Sequence, residues 1–411
     1  MRQIVTKFTD NDAYTFSVLY YILQTYPRAE VRYSFFDRNQ TKYPKGFANL
    51  LRAQIDGMKN IAITEEEIEF MKRKMYFLPE WFFVFLRGYR FNPSEVTVSQ
   101  DENGYLHIMI EGKWYSTIMW EMPILSTISE LMHIINNDIE KVDREAEYKK
   151  AYAKGVKAFT NGLVLSDMGT RRRFDFQNHY DVVKALKQSY EDCVKEGTCN
   201  GKFVGTSNVW LAKEFDLTPI GTMSHQIISA EECVSGVYEC NYQVMDKWSR
   251  CFNGDVGIFL YDNFSDVMFF PNLSKRLAKT FDGLRVDSGD EKEQTEKVIE
   301  KYRSLGIDPS TKAIVYSNAL TIDKAIELHK WLGGRMKDSY GIGTHLCADV
   351  TNIKTGERFP YSNIVIKLVG FRITELREWQ DCVKLSNDKG KMLGNKEKCK
   401  YILNLIKNCK Q

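Results

Sequence analysis

From Gly162 onward the chain alternates short continuous apolar runs with longer segments whose apolar residues recur at three- and four-residue steps. Each run ends abruptly in small polar, acidic or cationic residues. Residues 162–165 lead into Asp167, Met168, Gly169, Thr170 and the arginines 171–173. Residues 202–204 lead into Gly205, Thr206, Ser207 and Asn208, and residues 218–220 into Gly221, Thr222, Met223, Ser224 and His225. Residues 256–260 end in Asp262 and Asn263, and Leu284 runs into Arg285, Asp287, Ser288 and Asp290. Residues 313–315 end in Ser317 and Asn318, and Tyr340 opens the run Gly341-Ile342-Gly343-Thr344. Continuous apolar runs mark strands buried on both faces of a parallel sheet. The segments 181–196, 229–248, 272–281, 291–305 and 321–332 carry helical periodicity, so the pattern predicts βα units. Polar tips that always follow strands favour a closed or nearly closed α/β barrel with a catalytic mouth over an open sheet with one crevice.

The first part of the chain reads differently. Residues 31–36 alternate as a half-buried strand, 45–59 and 65–74 look helical, and 95–98, 106–111 and 113–118 form a strand meander turning at Asn103-Gly104. After Thr344 strands return at 363–368 and 382–385, which places the C-terminal portion back in the first domain's sheet. The tail from Asn387 is expected to be a solvated surface with a short helix from Lys396.

Composition narrows the class. A chain of 411 residues, 43% hydrophobic and 27% charged, fits a soluble globular protein of two domains or a large barrel with an appendage. A net charge of +3 argues for neither nucleic acid nor a membrane surface as partner. The longest apolar stretch, 76–85, is broken by Pro79 and Glu80 and is too short to span a bilayer. No apolar core follows a basic N-terminus, which argues against a secretory leader. Nine cysteines without a C-x-x-C pair or zinc-like spacing read as reduced thiols in a cytoplasmic protein.

The strand tips carry the chemistry. Arginines after Gly169-Thr170 suit phosphate, because guanidinium donors pair with oxygens and small residues let backbone approach an anion. His225 is a candidate base, acid or nucleophile because its Gly-Thr context matches the other tips. His107, His133, His179 and His329 read as satisfied polar groups. Asp262 and Asp287 can orient an imidazole, hold ribose hydroxyls, coordinate Mg²⁺ or cap helices. Arg285 falls on the same side of an extended strand as Asp287. Ser317-Asn318 and Gly341-Ile342-Gly343-Thr344 offer hydroxyls and amides to a second anion.

These tips, with Asp12-Ala13-Tyr14, Arg90-Phe91-Asn92-Pro93 and Asn363-Ile364-Val365-Ile366-Lys367-Leu368-Val369, resemble the nicotinate phosphoribosyltransferase family from about Asp10 to Lys391. The resemblance implies an irregular α/β barrel beside an N-terminal α/β sandwich completed by the C-terminal segment. The expected domains are 1–125, 126–350 and 351–411. It implies that nicotinate and 5-phosphoribosyl 1-pyrophosphate give nicotinate mononucleotide and pyrophosphate, in NAD salvage, with ATP as co-substrate and Mg²⁺. It implies a cytoplasmic homodimer with the active site at the interface. His225 matches a histidine phosphorylated from ATP, and Asp262 lies beside it. Arg171 and Arg285 match phosphate or nicotinate–ribose contacts, and Asp287 the ribose ligand. Thr206, Ser317, Asn318, Gly343 and Thr344 match substrate positions, the last four around the 5-phosphate. Tyr14 matches the aromatic that stacks on the pyridine ring from the partner subunit, and Ser207 stands where nicotinamide-specific relatives have aspartate. Met168 replaces a common phenylalanine on the ring's other face, Gln226 a usual glutamate and Glu291 a usual proline. Asn318 also departs from a common pair. The alternatives are nicotinamide or quinolinate phosphoribosyl transfer on the same barrel, or a nucleotide-binding sensor without turnover.

Overall fold

The computed structural model describes residues 2–385 and 392–409. The start of the Lys- and Asn-rich stretch at Asn387 lies outside the described residues, and a helix does run over Lys396–Asn408. The strands are Glu30–Asp37 (β1), Val96–Gln100 (β2), Leu106–Lys113 (β3), Val164–Asp167 (β4), Lys202–Thr206 (β5), Thr218–Pro219 (β6), Ile258–Leu260 (β7), Gly283–Val286 (β8), Ala313–Tyr316 (β9), Lys337–Ile342 (β10), Ile364–Arg372 (β11) and Gln380–Asp381 (β12). They form two sheets.

The first sheet has five strands in the order β12-β11-β1-β3-β2, all antiparallel. Its strand β1 is flanked by β3 from the N-terminal part and by β11 from the C-terminal part, so the last segment of chain completes the first domain. The second sheet has seven strands in the order β6-β5-β4-β10-β9-β8-β7, all parallel. It curls as a half-barrel, and its edge strands β6 and β7 make no ladder with each other. The irregular α/β barrel expected from the sequence is thus present and open between β6 and β7.

The chain lays down β4, β5 and β6 outward on one side, then returns through β7, β8 and β9 to set β10 against β4. The β4–β10 seam is thus where strand order reverses, and ligands of parallel sheets bind beyond the carboxyl ends at such a point. Backbone bonds continue past the strand ends and tie neighbouring tips together: Met168 N–H donates to Ile342 O at 2.9 Å and Ser207 N–H to Asp167 O at 2.8 Å. Gly343 must be a glycine at this seam, since a Cβ there would lie 2.4 Å from the Met168 carbonyl oxygen.

Three sequence expectations change. Residues 113–118 are not a strand beyond Lys113: Trp114–Thr117 is helical. Trp114, Thr117 and Ile118 are all buried, and that spacing belongs to a helix rather than a strand. The segment 229–248 is two helices, His225–Ser235 and Cys240–Phe252, broken at Gly236, whose φ of +77° ends the first. Residues 382–385 form no strand of their own: β12 lies just before them, Cys382 N–H donates to Val369 O at 2.9 Å, and Lys384 makes an isolated bridge with Leu393. No helix among the described residues is long and apolar enough to cross a membrane.

Candidate active site

A cavity of about 570 Å³ opens at the carboxyl ends of the parallel strands, with β11 of the other sheet forming part of its wall. Six parallel strands send tips into it. Met168 and Arg171 follow β4, Ser207 follows β5, and Gly221, Ser224 and His225 follow β6. Arg285 lies in β8 with Asp287 just after it, Ser317 and Asn318 follow β9, and Gly341, Gly343 and Thr344 end β10. Arg171, His225 and Asp287, far apart in sequence, therefore line one space.

His225 is the first residue of the helix His225–Ser235, so its ring sits at the positive end of a helix dipole. Its Nε2 donates to Asp262 Oδ1 at 2.8 Å and lies 3.7 Å from Asp287 Oδ2. Burial, then the nearby Lys384 ammonium, pushes the imidazole down to about 4, against the pull of both aspartates. The ring is therefore neutral at pH 7. A neutral ring that gives its Nε2 proton to Asp262 carries its lone pair on Nδ1. Burial raises the Asp262 carboxyl, but His225, Lys384 and the Ser288 hydroxyl, which donates to Oδ2 at 2.6 Å, hold it well below the usual range. Asp287 is likewise lowered against its burial, chiefly by Arg285, and accepts the Ser317 hydroxyl at 2.6 Å. The result is a neutral imidazole beside two ionised carboxylates.

The remaining walls are cationic. Arg38, Arg171, Arg172, Arg285, Lys367 and Lys384 face the cavity, against the acids Asp12, Glu121 and Asp287. Burial, with Arg171 and Arg38 adding like charge, brings Arg172 down to about 9. Burial brings Lys367 down to about 8, despite the nearby Glu121. Cations held at such a cost are stabilised by an anion. Buried Nε donors of Arg172 and Arg285 and the Ser224 hydroxyl have no hydrogen-bond partner among the described residues. Unspent donors in a cationic cleft suit phosphate oxygens.

Three sequence assignments shift. Arg173 is not an anion ligand: it is wholly buried and gives two parallel bonds to Asp10 at 2.6 and 2.8 Å, so only Arg171 and Arg172 of the triplet reach the cavity. Thr206 does not line the cavity, because its hydroxyl turns inward to Asp167 Oδ2 at 2.6 Å. Asp262 does not line it either; it stands behind His225 as a positioning residue. Tyr14 lines the cavity of its own chain, since Ala13 N–H bonds Ser207 O at 2.8 Å and Asp12 bridges Asn208, pinning the helix Ala13–Thr25 onto the β5 tip. Its hydroxyl donates to Glu121 Oε2 at 2.9 Å. Ser207 faces the cavity, but its hydroxyl donates to Asp12 Oδ1 at 2.8 Å. Gln226 takes the place of a carboxylate as acceptor for the Tyr33 hydroxyl at 2.5 Å and Trp114 Nε1 at 3.1 Å.

Of the cavity's charged residues, Glu121 and Lys384 stand in no sequence motif, and Lys367 appears there only within the run 363–369. Lys367 had a visible signal, a lone cation inside the apolar strand β11. His107, His133, His179 and His329 are partnered as expected, each meeting an aspartate at 2.7–3.1 Å.

Comparison with known proteins agrees along nearly the whole chain. The family described as nicotinate phosphoribosyltransferase (NAPRTase) matches residues 163–401, and its N-terminal domain matches residues 9–129. A nicotinate phosphoribosyltransferase of Desulforapulum autotrophicum is 36% identical over 98% of this chain and 99% of its own length. One from Methanococcoides burtonii is 34% identical over 96% of each. The crystal structure of nicotinate phosphoribosyltransferase from Porphyromonas gingivalis superposes with a TM-score of 0.92 at 35% identity, over 98% of this chain and all of that one.

Proposed function

Since the chain belongs to the nicotinate phosphoribosyltransferase family, we propose that it joins nicotinate to 5-phosphoribosyl 1-pyrophosphate, giving nicotinate mononucleotide and pyrophosphate, with ATP hydrolysis coupled through His225. The observation that carries the coupling is the neutral His225 held by Asp262 beside Asp287, in a cavity whose charged wall residues are mostly cations. The Nδ1 lone pair attacks the terminal phosphorus of ATP; an N–P bond forms, the P–O bond to ADP breaks, and Asp262 stabilises the cationic ring. Water later takes the phosphoryl group, which returns the neutral ring.

In the transfer step the nicotinate ring nitrogen attacks the anomeric carbon while the bond to pyrophosphate breaks. The leaving oxygen departs with the electron pair. Such a step needs charge neutralisation and positioning more than a base. Arg171, Arg172, Arg285 and Lys384 supply cationic donors, and Asp287 is placed to hold ribose hydroxyls. The turns at Ser317-Asn318 and Gly343-Thr344 are placed for the 5-phosphate. Tyr14 and Met168 flank the proposed ring site, and Ser207 with Asp12 marks its carboxylate end.

Mg²⁺ takes oxygen ligands, and Asp287, a cavity-lining carboxylate whose ligand atoms cluster with those of Asp262 and His225, fits it. When bound, the ion neutralises pyrophosphate charge. The proposal includes a role in NAD salvage, a cytoplasmic setting and a homodimer. The deciding experiment incubates pure protein with nicotinate, phosphoribosyl pyrophosphate, Mg²⁺ and ATP. Nicotinate mononucleotide is expected; thermal stabilisation by the substrates without product would instead make the chain a sensor.

A further inference from the structure

The helix that begins at His225 also carries Cys233, eight residues on, at the far side from the catalytic cavity. Cys382, just past β12, lies with its sulfur 3.6 Å from that of Cys233. Among the described residues this is the one pair of cysteine sulfurs in contact, and all nine thiols are free. Cys233 helps line a second cavity of about 490 Å³, with Val234, Phe371, Ile373 and Arg377. Cys382 is buried, and burial holds its thiol well above the ordinary range. Lys398 sets its ammonium 3.8 Å from Cys233 Sγ, while pairing with Glu232 at 2.5 Å and donating to Asp381 O at 2.8 Å. One sulfur is thus reachable beside a cation, and its neighbour is shielded and protonated.

The two sulfurs belong to the two walls that bear on the catalytic residues. The helix of Cys233 holds His225 at its start; Cys382 is two residues before Lys384, which lines the catalytic cavity. The Ser229 hydroxyl donates to Val383 O at 3.0 Å, so the two walls are already joined beside the cysteines. A bond between the sulfurs requires their separation to fall to about 2.05 Å, a closure of roughly 1.5 Å across this contact.

We propose that Cys233 and Cys382 are a thiol–disulfide modification site, oxidised by a low-molecular-weight disulfide entering through the second cavity, and that the bridge slows turnover. Cys233 loses its proton and its thiolate attacks one sulfur of the small disulfide; that S–S bond breaks, and the departing sulfur takes up a proton to leave as one thiol. Cys382 then gives up its proton and attacks Cys233 Sγ, expelling the second thiol. Two electrons and two protons pass from the protein to the small disulfide. The bridge stands on the sulfur geometry alone; its effect on turnover rests on the function proposed above.

The test equilibrates the full chain in mixtures of reduced and oxidised glutathione, blocks free thiols with N-ethylmaleimide and maps the peptides. A linked Cys233–Cys382 peptide, reversed by dithiothreitol and absent from Cys382→Ser, is expected. Cys233 held as a glutathione adduct with Cys382 still alkylated, or no linked peptide at the most oxidising ratio, overturns the site. Nicotinate mononucleotide synthesis should fall by about tenfold or more on bridging, since ångström-scale misplacement can cost up to about a hundredfold. Cys382→Ser should keep wild-type activity under both conditions. A bridged enzyme at full activity overturns the regulatory half. No synthesis even by the reduced protein would count against the proposed function and leave the bridge standing.

Discussion

Replacing Arg173 with methionine separates the structural arginine of the triplet from the two that face the cavity. The guanidinium has no solvent exposure and makes a two-bond pair with Asp10, which also accepts Asn208 Nδ2 at 2.7 Å. The pull of Arg173 and Asn208 keeps the Asp10 carboxyl below its ordinary value despite complete burial. Arg173→Met leaves that carboxylate buried and unpaired, a change that costs about 3–5 kcal/mol. Unfolding entropy near 2.1 cal/mol/K per residue gives a chain of this size about 0.9 kcal/mol/K, so the melting temperature should drop by about 3–6 °C. Lys149→Met removes a pair with Glu145 in which both side chains are more than two-thirds exposed, and should move the midpoint by under about 1 °C. Removing both buried charges, Asp10→Asn with Arg173→Met, should recover most of the loss. Scanning calorimetry or dye-monitored melting reads all three. A shift for Arg173→Met no larger than that of Lys149→Met would refute the assignment of Arg173 to the scaffold.

Other outcomes follow from the same geometry. His225→Asn should abolish ATP stimulation while leaving slow ATP-independent synthesis; undiminished stimulation would remove the phosphoryl-acceptor role. With the ring held neutral down to about 4, ATP-coupled turnover should show no inflection at the ordinary histidine value of 6.5. Between pH 6.5 and about 4 the unfolded chain binds a proton that native His225 does not, so acidification through that window should lower stability; a midpoint unchanged in His225→Asn relative to wild type across it would contradict this. Ser207→Asp sets a second carboxylate beside Asp12 and should raise KM for nicotinate more than for nicotinamide, while equal losses would free Ser207 from reading the acid. Gly343→Ala drives a methyl into the Met168 carbonyl and should raise KM for phosphoribosyl pyrophosphate; unchanged kinetics would show that the seam can yield.

The strand ladder was legible because most of the parallel strands are buried toward their carboxyl ends, as at Val164–Asp167 and Gly283–Val286, and so read as short apolar runs that end where the cavity begins. For that reason the tips at Arg171, His225, Arg285 and Gly343 are visible in the sequence itself. Side-chain direction was not legible. Arg171, Arg172 and Arg173 are identical in sequence terms, and only the turn at Thr170–Arg172 sends the third one inward to Asp10. Thr206 and Ser207 are adjacent, and the pleat turns one to Asp167 and the other to the cavity. Lys367 and Lys384 reach the site through the C-terminal return to β1, a long-range pairing that local periodicity does not carry. The open edge between β6 and β7 was equally invisible, since closure depends on strand tilt and stagger rather than on composition.

The most direct measurement follows the terminal phosphoryl group of labelled ATP onto the protein. Incubation with ATP and Mg²⁺, rapid quenching at alkaline pH and peptide mapping should find an acid-labile phosphoryl group on His225 alone, discharged when nicotinate and phosphoribosyl pyrophosphate are added. Label on another residue, or ATP-stimulated synthesis by a protein that never carries label, would contradict the account.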